Sequence, residues 1–301
     1  MPIPEFPVFK TLGIEDRDQI ESYFRESNPI NSEFTFTNLF IWRSTYHFQV
    51  SLHRNALFIL SCPEPKDHFF LPPTGFNTNA ETFMTLLDFM RHKGWSPKIK
   101  RVPKHVIDRA QLWEDSRFNI QFNRDDADYV YLTQRLITLA GKKLHRKKNH
   151  LNQFIKNYPF VFEPLAEQNG NECLEMQEVW CDIKKCDEQS GLMHETIAIR
   201  EALKNMEKLS CTGGVIRISG HVEAFSLGEA LNSDTAVIHI EKANPDIRGL
   251  YAAINQQCCE HLWADFTYVN REQDLGEEGL RKAKLSYHPY ALIEKYTITS
   301  R

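Results

Sequence analysis

The segment from Ala236 to Val269 constrains the fold of this chain more than any other, because it predicts a strand, a helix and a second strand in close succession. Its first five residues, AVIHI, are mostly β-branched and apolar, as in a buried strand. Asn244 followed by Pro245 favours a helix start, since asparagine caps helix N-termini and proline fits the first turn. Phe266–Val269, with the sequence FTYV, predicts the second strand. So short a connection is typical of a right-handed crossover between parallel strands.

Charged and amide side chains follow both of these strands. Glu241 and Lys242 end the first strand, and Asn270, Arg271 and Glu272 end the second. The carboxyl ends of neighbouring parallel strands meet at one edge of a sheet, where open α/β sheets bind their ligands. The sequence therefore predicts a binding site at this edge. Two solvated loops are the alternative interpretation.

Composition limits the classes of function that need to be considered. The chain has 301 residues, of which 42% are hydrophobic and 25% charged, with a formal net charge of −4. This is ordinary globular composition with room for two domains, so any contact with nucleic acid or anionic lipid requires a local basic patch. No apolar run is long enough to span a bilayer, and no ligand pairs have the spacing of a zinc site, so we expect no metal. Seven cysteines without a secretory leader predict reduced thiols and a cytoplasmic location.

The densest basic segment lies between Gly141 and Tyr158 and has the periodicity of a helix. Like charges one turn apart on a helix repel by about a few tenths of a kcal/mol per pair. A phosphate-bearing partner would offset this repulsion, which favours contact with tRNA or an anionic phospholipid surface at the inner face of the membrane. A solvated connecting helix is the alternative. The candidate anion-binding residues are Lys142, Lys143, Arg146, Lys147 and Lys148.

The order of predicted elements from residue 160 onward is strand, two helices, three strands, helix, strand, helix, strand. This order resembles that of a GNAT acyltransferase domain, and the first part of the chain has a looser version of it. We therefore expect an α+β protein with two tandem GNAT-like domains, each a mixed central sheet flanked by helices. The expected boundaries are 1–138 for the first domain, 139–159 for a basic connecting helix, and 160–301 for the second domain with the site.

Three long strings carry a resemblance to a known family: HIEKANPDIRGLYAAIN, VNREQDLGEEGLRKAKLSYHP and GKKLHRKKNHLNQF. They resemble a bacterial family of unknown function that is grouped with the C-terminal domain of phosphatidylglycerol lysyltransferases. The resemblance implies a tandem GNAT-like fold similar to Fem-type peptidoglycan aminoacyltransferases. Lysyltransferases of this kind move an aminoacyl group from tRNA to a lipid head group. The resemblance thus implies an aminoacyl-tRNA donor and a lipid or small-molecule acceptor.

One segment departs from the GNAT pattern. GNAT enzymes bind the pyrophosphate of coenzyme A on a glycine-rich loop that opens a helix. The matching segment here runs from Arg248 to Ala253, and Tyr251 stands where a glycine would let the backbone approach phosphate. Pro245 removes one backbone donor upstream and Asp246 adds a negative charge. We therefore expect coenzyme A to bind only weakly.

Two residues are the candidate catalytic pair, Glu241 as a general base and Tyr287 as an acid. Strand alternation puts His239 on the same face as Glu241, and helical spacing directs Tyr287 inward from the last helix. GNAT enzymes often keep a tyrosine acid in this helix. In the alternative, Glu241 pairs with Lys242 or Arg271 and Tyr287 is a core residue. The remaining candidate substrate-binding residues are His239, Lys242, Arg248, Tyr251, Asn255, Asn270, Arg271, Glu272 and Lys284.

The sequence leaves three hypotheses for the function. The first is an acyltransferase that moves an aminoacyl group from an aminoacyl-tRNA-type ester to an amine or hydroxyl acceptor. The second is an acyl-CoA-dependent N-acyltransferase of the same fold. The third is a non-catalytic module that binds tRNA or phospholipid.

Overall fold

The chain folds into two compact units, as described by a computed structural model that covers residues 2–63, 67–75, 78–188 and 190–301. The division falls after Asp128 and not after residue 138, and two later segments return to the first unit. The first unit consists of Met1–Asp128, Gln273–Gly276 and Ile293–Arg301, and the second of Tyr129–Glu272 and Glu277–Leu292.

The strands of the described residues are numbered in chain order. They are β1 (Lys10–Thr11), β2 (Gln49–His53), β3 (Ala56–Ser61), β4 (Phe69–Phe70), β5 (Lys98–Pro103), β6 (Phe118–Leu132), β7 (Phe160–Pro164), β8 (Thr212–Ile218), β9 (His221–Ala230), β10 (Thr235–Ala243), β11 (Tyr268–Asn270) and β12 (Ala291–Ser300).

The α-helices are numbered in the same way. They are α1 (Arg17–Ser27), α2 (Phe36–Tyr46), α3 (Ala80–His92), α4 (Lys104–Arg109), α5 (Thr133–Thr138), α6 (His145–Asn157), α7 (Glu167–Lys184), α8 (Ser190–Lys204), α9 (Met206–Leu209), α10 (Leu250–His261) and α11 (Glu278–Leu285).

The sheet of the first unit has the strand order β1-β2-β3-β4-β5-β12. Its pairs are antiparallel except β4 and β5, which run parallel and are joined through α3. Helix α3 buries Phe83, Leu86, Leu87 and Met90 against this sheet, which matches their helical spacing in the sequence. The last strand joins this unit because β12 pairs with β5, with Lys295 opposite Pro103.

The strands of the second unit repeat this plan in the order β6-β11-β10-β9-β8-β7, to which β6 contributes its residues from Tyr129 onward. Here β10 and β11 are the parallel pair, joined through α10, and the other pairs are antiparallel. The predicted crossover between parallel strands is therefore confirmed. So is the fold class, since the protein is α+β and each unit has a mixed sheet flanked by helices.

The helix of this crossover begins later than the sequence suggests. Helix α10 starts at Leu250, and Asn244 instead accepts a hydrogen bond from the backbone N–H of Asp246 at 3.0 Å in a turn before the helix. Gly249 caps the helix with a φ of +92°, and a Cβ there would lie 2.4 Å from the carbonyl oxygen of His150. The close approach of α6 thus requires glycine at this position, and the prediction of a helix start at Asn244 and Pro245 was wrong.

The basic segment lies within the second unit rather than connecting two domains. Its apolar stripe, Leu144, Leu151 and Phe154, is buried in the same core cluster as Leu250 and Ala253 of α10. Burial of one face holds α6 against α10, so the segment packs as part of the unit that carries the predicted site.

The cysteines depart in part from the expectation of reduced thiols. Cys181 at the end of α7 forms a disulfide with Cys186 in the turn that follows. Five cysteines of the described residues are free, including the buried neighbours Cys258 and Cys259 of α10.

Candidate functional site

A β-bulge in β10 separates the two residues that strand alternation had placed together. Ile238 pairs with Gly228 and Ile240 with Leu227, so His239 is an extra residue in the ladder. A bulge of this kind offsets the alternation of side chains beyond it. His239 and Glu241 consequently point to opposite faces of the sheet, and the prediction that they share a face was wrong.

His239 is completely buried between two carboxylates. Its Nε2 lies 2.8 Å from Glu229 Oε1, and its Nδ1 lies 2.8 Å from Glu272 Oε1. Burial by itself lowers the pKa of a histidine, but the two carboxylates outweigh it and raise the pKa of His239 to about 9. Both ring nitrogens are therefore occupied by the protein. This arrangement fits a structural clamp on the loop after β11 rather than the substrate contact expected for His239 and Glu272.

Glu241 faces α10, where it holds two other predicted site residues. Arg271 Nη2 donates to Glu241 Oε1 at 2.6 Å, and Asn255 Nδ2 donates to Glu241 Oε2 at 2.9 Å. The carboxylate and the guanidinium are each only 12% exposed. Two atoms of this group are buried without a hydrogen-bond partner in the described part of the chain, Arg271 Nη1 and Asn255 Oδ1. The trio thus presents one unused donor and one unused acceptor, which is unusual because buried polar atoms are normally satisfied.

Tyr287 contacts this group through Arg271. It follows α11, with its backbone N–H bonded to the carbonyl of Lys284, and not in the helix as expected. The guanidinium carbon of Arg271 lies 4.8 Å from the centroid of the Tyr287 ring, and the ring of Tyr131 meets that of Tyr287 edge-on at 6.3 Å. Burial raises the pKa of Tyr287, which keeps its hydroxyl protonated at neutral pH. The structure therefore brings the two candidate catalytic residues to one arginine.

Lys147 lies on the inner side of the basic helix. Its Nζ is 4.1 Å from the centroid of the Tyr287 ring, and the side chain is half-buried. Burial, together with the nearby charge of Arg271, lowers the pKa of Lys147 to about 8. Lys142, Lys143, Arg146 and Lys148 are exposed. The five predicted anion-binding residues therefore split into four on the surface and one beside Tyr287.

Three of the predicted substrate-binding residues are buried in structural contacts instead. Lys242 donates to Glu195 at 2.7 Å and covers the Trp180 ring. Asn270 accepts the backbone N–H of Glu272 at 2.8 Å. Lys284 donates to the carbonyls of Arg271 and Glu272 at 2.6 and 3.1 Å. Asn270 and Lys284 fix the loop that carries Arg271, so they support the group around Glu241 without facing it.

The segment that matches the coenzyme A loop of GNAT enzymes makes contacts within the protein. Arg248 is exposed, and the hydroxyl of Tyr251 accepts a hydrogen bond from Trp180 Nε1 at 3.0 Å. The backbone at Gly249 is covered by the carbonyl of His150 from α6. Helix α6 therefore packs closely against this part of the loop.

Two contributors to the group around Glu241 were missed. Tyr131 was assigned to the first domain, although its hydroxyl donates to the carbonyl of Lys284 at 2.8 Å and Arg271 lies 5.6 Å from its ring centroid. The alternation in DADYVYL does place Tyr129 and Tyr131 on one face of a strand, but not beside β11. The sequence does not separate Lys147 from the other four candidate anion-binding residues, because charge alone does not distinguish the faces of a helix.

A separate groove of about 250 Å³ runs along α7 in the same unit. It contains Trp180, Val222 and Pro245 but neither Glu241 nor Tyr287. Among the described residues, no cluster of three or more histidine, cysteine or acidic side chains has the arrangement of a metal site. In that same part of the chain, no helix combines the length and apolar character needed to cross a membrane.

The group around Glu241 offers the functions that acyl transfer requires. Arg271 Nη1 can donate to a carbonyl oxygen that gains negative charge, and Asn255 Oδ1 can accept from an attacking hydroxyl or amine. Tyr287 supplies a protonated hydroxyl. We refer to Glu241, Asn255, Arg271, Tyr287 and Lys147 together as the Glu241 cluster.

Comparison with known proteins places this chain among proteins of the same architecture. A crystal structure of a conserved protein of unknown function from Bacteroides thetaiotaomicron shares 33% identity and superposes with a TM-score of 0.90, over 97% of this chain and 99% of that one. An uncharacterised protein of Mycoplasmoides gallisepticum, MYCGA3080, is 26% identical over 62% of this chain, and the match spans 60% of that relative.

More distant solved structures share the fold. The C-terminal domain of a putative lysylphosphatidylglycerol synthetase from Agrobacterium fabrum superposes with a TM-score of 0.65 at 14% identity, over 95% of this chain and 90% of that one. A structure of FemX superposes with a TM-score of 0.63 at 9% identity, covering 96% of each chain.

The family model for the C-terminal region of phosphatidylglycerol lysyltransferase matches residues 24–299, which is nearly the whole chain and includes every residue of the Glu241 cluster. The chain therefore belongs to the phosphatidylglycerol lysyltransferase C-terminal family.

Proposed function

We propose that the second unit transfers an aminoacyl group from an aminoacyl-tRNA-type ester to the hydroxyl or amine of a lipid head group or small molecule. The observation that carries this proposal is the pair of unused buried atoms, Arg271 Nη1 and Asn255 Oδ1, held on either side of Glu241. Family membership supports aminoacyl transfer as the class of reaction.

The proposed roles follow from the hydrogen bonds already present. Arg271 Nη1 donates to the ester carbonyl and stabilises the charge that develops on its oxygen. Asn255 Oδ1 accepts from the attacking O–H or N–H and fixes its direction. Because both oxygens of Glu241 are already bonded, we assign this residue to hold Arg271 and Asn255 in place, in contrast to the general base expected from sequence. Tyr287 donates a hydrogen bond to the leaving oxygen.

The exposed cations of α6 support a tRNA-type donor. Lys142, Lys143, Arg146 and Lys148 lie on the same helix as Lys147 and point to solvent, where they can contact phosphates. Coenzyme A fits less well, because the carbonyl of His150 covers the backbone at Gly249. We expect its Kd to exceed about 100 μM, or about −5.5 kcal/mol. A low-micromolar Kd by calorimetry would favour an acyl-CoA-dependent N-acyltransferase, the second candidate.

The test is a transfer assay with tRNA charged with radiolabelled amino acids, using phosphatidylglycerol vesicles and small amines as separate acceptors. We expect label in an acceptor with the wild-type protein and a loss of at least about 100-fold for Arg271→Lys, since removing one oxyanion donor typically costs 10²–10³ in rate. Arg200→Lys is the matched control, because Arg200 is an exposed arginine of α8 that belongs to none of the proposed binding groups. Binding of tRNA or vesicles without any transfer would instead support a non-catalytic binding module.

A further inference from the structure

Lys147 differs from the other cations of the basic helix in its surroundings. It is half-buried, and its Nζ lies over the ring of Tyr287 at 4.1 Å, whereas Lys148 next to it is exposed. Among the described residues, Lys147 has no hydrogen-bond or ion-pair partner. Its amine is therefore free to bond to a molecule bound at the Glu241 cluster.

The charged and titratable groups that face Lys147 come from four places in the second unit. Arg146 lies on its own helix, Glu241 on β10, Arg271 after β11 and Tyr287 after α11, and His150 is one turn away on α6. Glu241 favours the charged amine, but its carboxylate is already neutralised by Arg271 at 2.6 Å. The two arginines and burial disfavour the charge, so a neutral amine is accessible near pH 8.

We propose that Lys147 takes the proton from the attacking hydroxyl or amine of the acceptor, and thus acts as the general base of the transfer. This inference rests on the proposed function, because it names the proton acceptor for that same reaction. Lys147 thus supplies a proton acceptor to the cluster. Glu241 is less suited to this role because both of its carboxylate oxygens already accept hydrogen bonds.

The proton and the bonds balance without a further reactant. An amine acceptor keeps one N–H bonded to Asn255 Oδ1 and passes another proton to Lys147 Nζ, whereas a hydroxyl acceptor turns its single proton from Asn255 to Lys147 Nζ. As this proton leaves, the acceptor atom bonds to the ester carbonyl carbon, whose oxygen becomes negative beside Arg271. When the carbonyl re-forms, the bond to the leaving ester oxygen breaks. The Lys147 ammonium gives its proton to that oxygen, and the lysine is neutral again. Tyr287 keeps its proton throughout.

The first test needs no substrate. The 301-residue protein is treated briefly with a trace of acetic anhydride at pH 8, and the acetylation of each lysine is read by peptide mass spectrometry. At pH 8 about half of the Lys147 amine is neutral, compared with well under 1% of an ordinary lysine. We expect Lys147 to be labelled at least about tenfold faster than Lys148, its exposed neighbour. Equal or slower labelling of Lys147 would overturn the inference while leaving aminoacyl transfer untouched.

The second test uses turnover. Lys147→Arg keeps a cation near Tyr287 but cannot give up its proton at neutral pH, and we expect it to lose at least about 100-fold in rate, in line with general-base catalysis. Lys156→Arg is the matched control, because Lys156 is an exposed lysine of α6 outside the proposed anion-binding set. The wild-type rate should rise with pH and level off above about pH 8, whereas the residual rate of Lys147→Arg should lack that step. If Lys147→Arg retains the wild-type rate and pH profile, Lys147 is not the base even when it is readily labelled. If the wild-type protein transfers nothing, the proposed function fails first, whatever the labelling result.

Discussion

The two units contain the same crossover of parallel strands but very different groups of buried charge. In the first unit, Lys295 bonds to Glu33 at 2.7 Å and to Asp128 at 2.6 Å, and the three side chains are at most 1% exposed. Ser32 donates to Asp128 through both its backbone N–H and its hydroxyl. In the second unit, Arg271 and Glu241 are each 12% exposed, and Arg271 Nη1 and Asn255 Oδ1 remain unused.

This difference separates a structural role from a chemical one. The charges of the first unit are satisfied by one another and closed to solvent, apart from the unpaired Asn31 Oδ1, so they hold elements in register. The charges of the second unit leave a donor and an acceptor unused beside a half-buried amine. The two groups also differ in position, because Glu33, Asp128 and Lys295 lie outside β4-α3-β5, whereas Glu241 and Asn255 lie on β10 and α10 of the crossover and Arg271 follows its second strand, β11.

We expect the largest loss in the free energy of unfolding from disrupting the buried charges of the first unit, Lys295, Glu33 and Asp128. Lys295→Met removes the lysine from Glu33 and Asp128 and leaves Arg101, 3.8 Å from Glu33, as a more distant cation. Removing one partner of a buried pair costs about 3–5 kcal/mol. Arg271→Met should cost only about 1–3 kcal/mol, because Glu241 keeps its bond from Asn255 and some solvent. Urea denaturation at pH 7 measures both. Equal losses in the free energy of unfolding would mean that the two groups of buried charge stabilise the protein to the same extent.

The second expected effect is a dependence of the free energy of unfolding on pH, which arises from His239 in the second unit. The pKa of His239 is raised to about 9 from an ordinary value of about 6.5, so its contribution to stability is complete below pH 6.5 and is lost as the pH rises through 9. From pH 6.5 to 8 the free energy of unfolding should fall by about 2 kcal/mol, at about 1.4 kcal/mol per pH unit. Lys147 contributes with the opposite sign only at higher pH, because its folded pKa is about 8.

His239→Gln is the matching variant, since glutamine can bond to one carboxylate without titrating. Its unfolding midpoint should be nearly constant across this pH range. A wild-type midpoint that is equally constant would contradict a protonated His239 in the folded protein.

The third effect compares the glycines next to the two crossover helices. Gly94 follows α3 with a φ of +71° and nothing within 4 Å of a Cβ built there, whereas a Cβ at Gly249 meets the carbonyl of His150 at 2.4 Å. Gly94→Ala should therefore cost about 1 kcal/mol of backbone strain, and Gly249→Ala about 2–3 kcal/mol because α6 must also shift. Thermal unfolding of both variants measures these losses of stability. Similar losses would show that α6 moves away from residue 249 at little cost in free energy.

The smallest effect on stability should come from the exposed cations of α6. Reversing the charge of Lys142, Lys143 and Lys148 should change the free energy of unfolding by less than about 0.5 kcal/mol, since the side chains are exposed. The same variant should lose salt-dependent binding to tRNA or to anionic vesicles. Wild-type protein that shows no salt-dependent binding to either would identify this surface as solvated only.

The sequence predicts the crossover of the second unit well, because apolar strand runs and helical spacing are local signals. It also brings Glu241, Asn255 and Arg271 into one list of candidates. It does not predict the bulge at His239, which depends on pairing between β9 and β10 and moves Glu241 to the other face. Nor does it predict which side of α6 each cation occupies, because Lys147 and Lys148 are adjacent residues whose difference is set by packing against Tyr287.

Strand β12 has a consequence for how the protein is made. Its residues from Ile293 onward belong to the first unit, where Lys295 meets Glu33 and Asp128, although the whole of the second unit precedes them in the chain. During synthesis Glu33 and Asp128 therefore cannot pair with Lys295 until the second unit has been made. Loss of β12 would destabilise the first unit, although this strand follows the second unit in the sequence.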